Sequence, residues 1–228
     1  MALDTFADGM TEVELLRELA VAAEQRETTE ETNALCRAAV VLLVSHFESF
    51  LKTIAEEYVD AVGTGEVESS RLPRGLREAH TLPGLESIVT SRDENQRSVL
   101  LKRLGGIATL WNDGAKPPRG ALSAATFARI VTSAKADIIN ELFVRMGNST
   151  SVCDGDIEMS DSNGDIVTAS IELSLRDVVT CRNDIAHGKA ERKPTPDDIE
   201  RYLNFLRTFA ERLQRKALNL TAQVTERD

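Results

Sequence analysis

Aromatic residues are scarce in this sequence, at 4% of the chain, whereas hydrophobic residues make up 42%. A core built from this chain must therefore consist mainly of aliphatic side chains. The longest apolar run, AAVVLLV (38–44), is too short to span a bilayer, which takes about 20 apolar residues. The opening residues, MALDTFADGMTEVELL, lack the basic and apolar regions of a signal peptide. We therefore expect a cytoplasmic protein that does not enter a membrane.

Cysteines and basic residues are also few. The three cysteines, Cys36, Cys153 and Cys181, are scattered and odd in number, which favours reduced thiols over a disulfide framework or a zinc site. The net charge of -10 argues against indiscriminate binding to nucleic acid, because such binding needs clustered Lys and Arg. A local basic excess, HGKAERK (187–193), is either a solvent-exposed loop or part of a basic site. No motif for a cofactor or a metal is present in the sequence.

Helical periodicity dominates the chain. Capping signals and apolar spacing predict core helices over about 11–62, 123–146, 174–187 and 196–220. The first of these ranges holds a helix that begins after Thr11 and a long helix from Thr29 to Val62. Prolines and glycines divide 63–121 into short pieces with one helix near 92–104, which we interpret as an irregular insertion. The sequence thus predicts one all-α domain over 1–228.

The polar segment 147–173 differs from the rest of the chain. Its Asn163-Gly164 pair is typical of a two-residue turn, so we predict a small β-hairpin or an ordered loop. Part of the segment also resembles a calcium-binding EF-hand loop, in Asp161, Asn163, Asp165 and Glu172. Ile166, however, stands where that loop needs glycine for its sharp turn, which argues against calcium.

The segment CRNDIAHG (181–188) places an arginine and a histidine five residues apart near a predicted helix end. A helix rotates by about 100° per residue, so four residues of this segment lie on one continuous arc of the helix surface. In order around the arc they are Arg182, Ala186, Asn183 and His187. Arg182 also falls within the apolar stripe of its helix, and Gly188 is the expected residue just beyond the last turn. An unpaired buried guanidinium is costly, so Arg182 must meet an acidic side chain, a hydrated cleft or an anionic ligand.

Two interpretations of Arg182 remain open from the residues alone. In the first, Arg182 forms a structural ion pair with Glu48, which lies at the border of the apolar arc of the long helix. His187 would then be a C-terminal residue favoured by the helix dipole. Alternatively, a permanent cation and a titratable imidazole form a site for a phosphate ester, since arginine binds phosphate and histidine transfers protons near neutral pH.

Two blocks resemble the HEPN superfamily, whose all-helical domains include many metal-independent ribonucleases. RNDIAHG (182–188) is similar to the Arg-x4–6-His signature of that superfamily. Residues 40–59, VVLLVSHFESFLKTIAEEYV, resemble the long helix of the bacterial MAE-type HEPN-like nucleases, in which a glutamate precedes a Phe-Leu-Lys run. Here that glutamate is Glu48, ahead of SFLK. The resemblance implies a HEPN-like helical bundle.

The resemblance also implies a function. It assigns proton transfer to His187, phosphate stabilisation to Arg182 and a polar supporting role to Asn183, while Glu48 would hold Arg182 in position. HEPN-like nucleases are typically homodimers whose motif helices face each other, which would place two copies of Arg182 and His187 in one composite active site. The expected protein is an endoribonuclease without a cofactor, a toxin or effector of a bacterial toxin–antitoxin or phage-defence system, with RNA as substrate and an antitoxin or defence protein as partner.

Two other classes of function compete with this expectation. A catalytically silent HEPN-like module would bind RNA, a nucleotide or a partner protein, and the acidic net charge favours it. An all-α oligomerisation domain is the third possibility. The presence of both Arg182 and His187 favours the enzyme, because a binding module has no need of an imidazole at that position.

Overall fold

A computed structural model describes residues 1–160 and 164–226 and, for Arg103, the backbone alone. The helices are α1 (Ala2–Gln25), α2 (Thr29–Val62), α3 (Arg74–Thr90), α4 (Glu94–Thr109), α5 (Ala124–Ala128), α6 (Ala136–Arg145), α7 (Ile171–Ala186) and α8 (Pro196–Thr225), with a 3-10 turn at Ser69–Arg71. Strands β1 (Asp156–Ser160) and β2 (Ile166–Ser170) pair antiparallel, with Asp156 opposite Ser170. The predicted all-α fold with a small hairpin before the motif helix is confirmed.

The described residues divide into two compact units. Unit 1 comprises Met1–Leu51, Val131–Asn140 and Val152–Gln214, and unit 2 comprises Lys52–Ile130, Glu141–Ser151 and Arg215–Asp228. All four predicted site residues belong to unit 1, whereas the predicted insertion belongs to unit 2. The single domain expected over 1–228 stays a prediction.

The core of unit 1 joins α1, α2 and α8. The ring of Phe47 on α2 lies 5.8 Å from that of Phe6 on α1 and 6.1 Å from that of Phe209 on α8. Aliphatic side chains of α7, including Leu175 and Val178, are fully buried in the same unit. In unit 1, these three rings therefore lie where the longest helices meet, and aliphatic side chains of α7 add to the core.

Helix α2 runs from Thr29 to Val62, as the sequence predicts. Its length and its mean hydropathy of 1.6 over 18 residues also suffice for crossing a membrane, so the shortness of the AAVVLLV run does not by itself exclude a membrane span. The core helix of a soluble protein passes the same test. In this structure 44% of that window is buried inside the protein.

Helix α1 begins at Ala2, so the start predicted after Thr11 is wrong. Ala2, Phe6 and Met10 recur at helical spacing and are buried, which extends the amphipathic helix toward the N-terminus. Gly9 lies within this added part and packs against His46 of α2. A Cβ atom at Gly9 would lie 2.5 Å from the His46 ring, so the close approach of the two helices requires glycine there.

The continuous helix predicted over 123–146 is broken. Ser123 caps α5 as expected, but α5 ends at Ala128 and α6 begins only at Ala136. Within the intervening segment the N–H of Ala134 donates to Glu48 Oε1, at 3.3 Å. A side-chain acceptor on α2 thus replaces the carbonyl that a continuous helix would have offered.

The segment 63–121 contains more helix than its prolines and glycines indicate. Helix α3 spans 17 residues with Pro83 inside it, and α4 covers the predicted helix near 92–104 and continues through Gly105 and Gly106 to Thr109. Helix propensity is a weak guide where tertiary packing decides. The prediction of an irregular insertion is therefore wrong for residues 74–109.

The segment 147–173 forms the predicted hairpin, and its strand β2 ends directly at α7. The predicted turn residue Asn163 and the EF-hand position Asp161 lie outside the described residues. Helix α7 begins at Ile171, three residues before the predicted Ser174, because the Ser170 hydroxyl accepts from the N–H of Leu173 and caps the helix.

The start of α8 is closed by a reciprocal cap that makes stability depend on pH. Thr195 N donates to Asp198 Oδ2 at 3.0 Å, and Asp198 N donates to Thr195 Oγ1 at 3.2 Å. Burial raises the pKa of Asp198, but hydrogen bonds from Thr195 and Arg201 outweigh burial and lower the pKa below its usual value. Because the folded pKa is the lower one, the stabilisation is complete above the unfolded pKa, near 3.9, and is lost as the pH falls through the folded value.

We expect Asp198→Asn to lose free energy of unfolding near neutral pH and to differ less from wild type near about pH 3. Urea unfolding at both pH values measures this difference. Asp197→Asn is the matched control, since Asp197 lies in the same first turn and is exposed. An equal loss for Asp198→Asn at both pH values would contradict the assignment.

Candidate active site

Helix α7 presents Arg182 to α2, where Glu48 meets it. Arg182 Nη2 donates to Glu48 Oε1 at 2.5 Å, and the two side chains are only 24% and 18% exposed. The acidic partner expected for this arginine is therefore present, and it is the residue that the sequence suggested. A largely desolvated ion pair of this kind holds both side chains in one geometry, because separation would leave a charge uncompensated.

Glu48 is fixed from a second side. Its Oε1 atom also accepts the N–H of Ala134, in the segment that interrupts the predicted helix. One carboxylate oxygen thus receives a side-chain donor and a backbone donor, from two different parts of unit 1. The position of Arg182 is consequently set by α2 and by the 129–135 segment as well as by α7.

Asn183 completes the cluster around the guanidinium. Its Oδ1 atom accepts from Arg182 Nη1 at 3.0 Å. The contacts to Glu48 and Asn183 use only part of the fork of N–H donors that a guanidinium presents, so further donors remain for a ligand. Asn183 also lines a cleft of about 230 Å³ beside α7, together with Thr180, Arg176 and Lys135.

His187 caps the C-terminus of α7 and is exposed. Its backbone N–H donates to Asn183 O at 2.9 Å, while its imidazole makes no hydrogen bond or ion pair with any described residue. Gly188 follows with φ +77°, a left-handed conformation that ends the helix and suits glycine. Five residues of helix separate His187 from Arg182 by about 7.5 Å along the axis.

Asp184 also lies in the motif segment, and it pairs with a lysine of the loop that follows α7. Asp184 Oδ1 lies 2.7 Å from Lys189 Nζ, and the aspartate side chain is 24% exposed. The hydrogen bond to Asp184 raises the pKa of Lys189. Arg192 is likewise engaged with Asp177, at 3.1 Å. The basic run 187–193 is therefore an ion-paired loop in which Lys193 has no acidic partner among the described residues.

Sequence reasoning missed Arg37, which anchors this loop. Arg37 Nη1 donates to Lys189 O and to Arg192 O, both at 2.9 Å. Arg37 and Glu48 are 11 residues apart on α2, which is about three turns, so they lie on the same face of the helix. That spacing was the available signal. It could be interpreted only once α7 and the following loop were known to lie against this face.

Unit 1 therefore places a fixed guanidinium and an exposed imidazole on the same helix. Arg182 is partly buried, positioned by Glu48 and Asn183, and keeps donors for an anion, while the His187 ring faces solvent. A guanidinium stabilises phosphate oxygens, and an imidazole accepts or donates a proton near neutral pH. Among the residues that the structure describes, no group of three His, Cys, Asp or Glu side chains is placed to hold a metal ion.

Comparison with known protein families supports assignment to the HEPN superfamily. The family model described as RiboL-PSP-HEPN matches residues 11–219, which include α7 and Glu48. No curated protein and no solved structure is similar enough to the chain to count as a match. Because the family match covers most of the sequence, the chain belongs to the RiboL-PSP-HEPN family.

Proposed function

We propose that this protein is an endoribonuclease of the HEPN type that cleaves RNA without a metal ion. The observation that carries the proposal is the Arg182–Glu48–Asn183 cluster with the exposed His187 on the same helix. A purely structural ion pair between Glu48 and Arg182 would leave the helix dipole as the only reason for a solvent-facing imidazole at the end of α7. Membership of a HEPN family supports the same function.

The proposed reaction uses the 2′-hydroxyl of RNA as nucleophile. A base removes the hydroxyl proton, the 2′-oxygen bonds to the adjacent phosphorus, and the bond from phosphorus to the 5′-oxygen breaks. The leaving 5′-oxygen takes a proton from an acid, which leaves a 2′,3′-cyclic phosphate and a 5′-hydroxyl. Arg182 neutralises the charge that develops on the phosphate oxygens, and His187 carries a proton.

One histidine provides one of the two proton-transfer groups, so we propose that a second copy of the chain provides the other. One side of α7 carries residues spaced three and four apart along the chain. They are Leu173, Arg176, Thr180, Asn183 and His187. Leu173 is 54% exposed on this side, and Ala186, next to His187, is small and exposed. Two α7 helices packed along this side would bring both histidines to one cleft.

The proposed biological role is that of a cytoplasmic toxin or effector in a bacterial toxin–antitoxin or phage-defence system. An antitoxin or another defence protein would then restrain or activate it. The placement of Glu48 before SFLK supports assignment to the MAE-type nucleases, and its contact with Arg182 gives that glutamate a physical reason.

A catalytically silent module that binds RNA, a nucleotide or a protein is the second candidate. The net charge of -10 favours a module that binds a protein, since an acidic body repels a polyanion such as an RNA substrate. The ion pairs of Lys189 and Arg192 weaken the local basic site further.

A cleavage assay decides between the two functions. Purified protein is incubated with total RNA in excess EDTA, and fragment ends are labelled by polynucleotide kinase without prior phosphatase treatment. We expect cleavage to persist in EDTA and the fragments to accept label directly, because 2′-hydroxyl attack leaves 5′-hydroxyl ends. RNA left intact by the wild-type protein, with or without added Mg²⁺ or Mn²⁺, would favour the binding module.

A further inference from the structure

Residues 63–130 of unit 2 have a charge balance opposite to that of the whole protein. They contain ten Lys or Arg against seven Asp or Glu, whereas the full chain has 27 against 37. Unit 2 also contains a groove of about 730 Å³, formed by residues of α3, α4, α5 and the loop before α5. This volume lies in the range of small-molecule sites, about 300–1,000 Å³.

The lining of the groove combines an apolar floor with positive charge. Pro83, Ile88, Leu100 and Ile107 supply apolar surface, and Arg119 and Arg129 supply two guanidinium groups. None of the described residues that line the groove is Asp or Glu. In a protein with 37 acidic residues, a groove of this size without a carboxylate selects for anions.

Both arginines keep donors for a ligand. Arg119 Nε donates to the carbonyl of Thr64 at 2.9 Å, which fixes the side chain and leaves both Nη groups unused by the described residues. Arg129 is exposed, and its guanidinium makes no hydrogen bond or ion pair with the described residues. Arg77 and Arg97, in contrast, use their Nη groups within the protein, Arg77 toward Asp113 and Arg97 toward the Ser91 carbonyl.

One wall of the groove is rigid. The ring nitrogens of His80 lie 2.8 Å from Leu76 O and 3.1 Å from Ser123 O, so this side chain ties α3 to the residue that caps α5. The His80 ring also stacks on Phe127, with ring centres 6.0 Å apart. A fixed wall favours binding, because little conformational freedom is lost when a ligand enters.

We propose that this groove binds a nucleoside phosphate, with the base against the apolar floor and the phosphate between Arg119 and Arg129. The ligand class follows from the lining, since a nucleotide unit joins a flat, weakly polar ring to an anion that matches the planar guanidinium fork. The unit comes either as a free nucleotide or as part of single-stranded RNA. The inference is independent of the cleavage proposed for Arg182 and His187, which lie in unit 1.

Two glycines of α4 provide a matched test. A Cβ atom at Gly105 or at Gly106 would meet nothing within 4 Å, but only Gly106 lines the groove. Gly106→Leu should therefore fill the groove without strain, while Gly105→Leu places the same side chain on the same helix outside it. Arg129→Glu and Arg92→Glu form a second pair, because Arg92 is exposed and does not line the groove.

The probe is a fluorescein-labelled oligouridylate or oligoadenylate, measured by anisotropy in the His187→Ala background so that it stays intact, with AMP, UMP and inorganic phosphate as competitors. We expect Gly106→Leu and Arg129→Glu to weaken binding at least about tenfold and their controls to leave it within about twofold.

Competition by AMP or UMP identifies a free-nucleotide site, and binding of the oligonucleotide alone identifies a strand site. Absence of binding by every probe, or equal binding by both members of each pair, overturns the proposal. RNA cleavage by the wild-type protein is scored separately, so either proposal can fail without the other.

Discussion

Replacing His187 with alanine is expected to lower the rate of RNA cleavage about 100- to 10,000-fold, the contribution typical of a positioned acid or base. The imidazole is the only group assigned to proton transfer in each chain, so no neighbour takes over its role. Fold and stability should remain as in wild type, because the side chain is exposed and its hydrogen bonds are made by the backbone. Cleavage rates with defined oligonucleotides, together with thermal unfolding, measure both effects.

The matched control for His187→Ala is Lys193→Ala. Lys193 is exposed, belongs to the same loop region and forms no ion pair with the described residues. Its removal takes away a charge near the motif without removing a proton carrier. Equal losses in the two variants would assign the effect to loss of local charge and would contradict the role of His187.

A shared active site predicts a further result for His187→Ala. When wild-type and variant chains are mixed in equal amounts and exchange freely, only about one quarter of the dimers have His187 in both chains. Activity should then fall to about one quarter of the wild-type value if both imidazoles are needed. A fall to about one half would mean that each chain acts alone, and light scattering that finds only monomers would also contradict the shared site.

Replacing Glu48 with alanine is expected to reduce both stability and cleavage. The change leaves a mostly buried guanidinium without its counter-charge and removes the acceptor of the Ala134 N–H. Loss of one partner of a buried pair costs about 3–5 kcal/mol, and the residual exposure of both side chains lowers the expected cost to about 1–3 kcal/mol. Cleavage should fall at least about tenfold, because Arg182 loses the contact that orients it toward a phosphate.

Two further variants separate charge from packing at this site. Glu48→Gln keeps the shape and an acceptor, so it should retain more stability than Glu48→Ala. Replacing Glu48 and Arg182 together with methionine removes both charges, and such replacements are often neutral for stability. The double variant should therefore lose less stability than Glu48→Ala, although it also lacks the acceptor of the Ala134 N–H, and it should not cleave RNA. Cleavage by this double variant would show that the pair is only structural.

Much of the fold was predictable because the long helices carry strong local signals. The bounds of α2 follow from its periodicity and from the glycines that end it, and the Thr195–Asp198 cap marks the start of α8. The pairing of Glu48 with Arg182 was predictable for a related reason. A charged residue at the border of an apolar arc has few places to find a partner, and Glu48 was the acidic residue at such a border.

The remainder depended on tertiary contacts that have no local signature. The break between Ala128 and Ala136 arises where Glu48, far away in sequence, accepts the N–H of Ala134. Likewise, α4 continues through Gly105 and Gly106 although both residues are poor helix formers. Arg37 was missed because its acceptors are backbone carbonyls, which every residue has and which a sequence therefore does not distinguish.

The placement of Arg37 and Glu48 on one face of α2 has a consequence for how this family varies in sequence. Both residues hold parts of the α7 region, one through the loop beyond Gly188 and the other through Arg182. A single residue inserted between them would rotate one anchor by about 100° relative to the other, whereas an insertion of 11 residues would nearly restore the rotation but move the anchors about 16 Å further apart. Between Arg37 and Glu48, the positions of α2 outside the buried core should therefore tolerate substitution far better than a change in length.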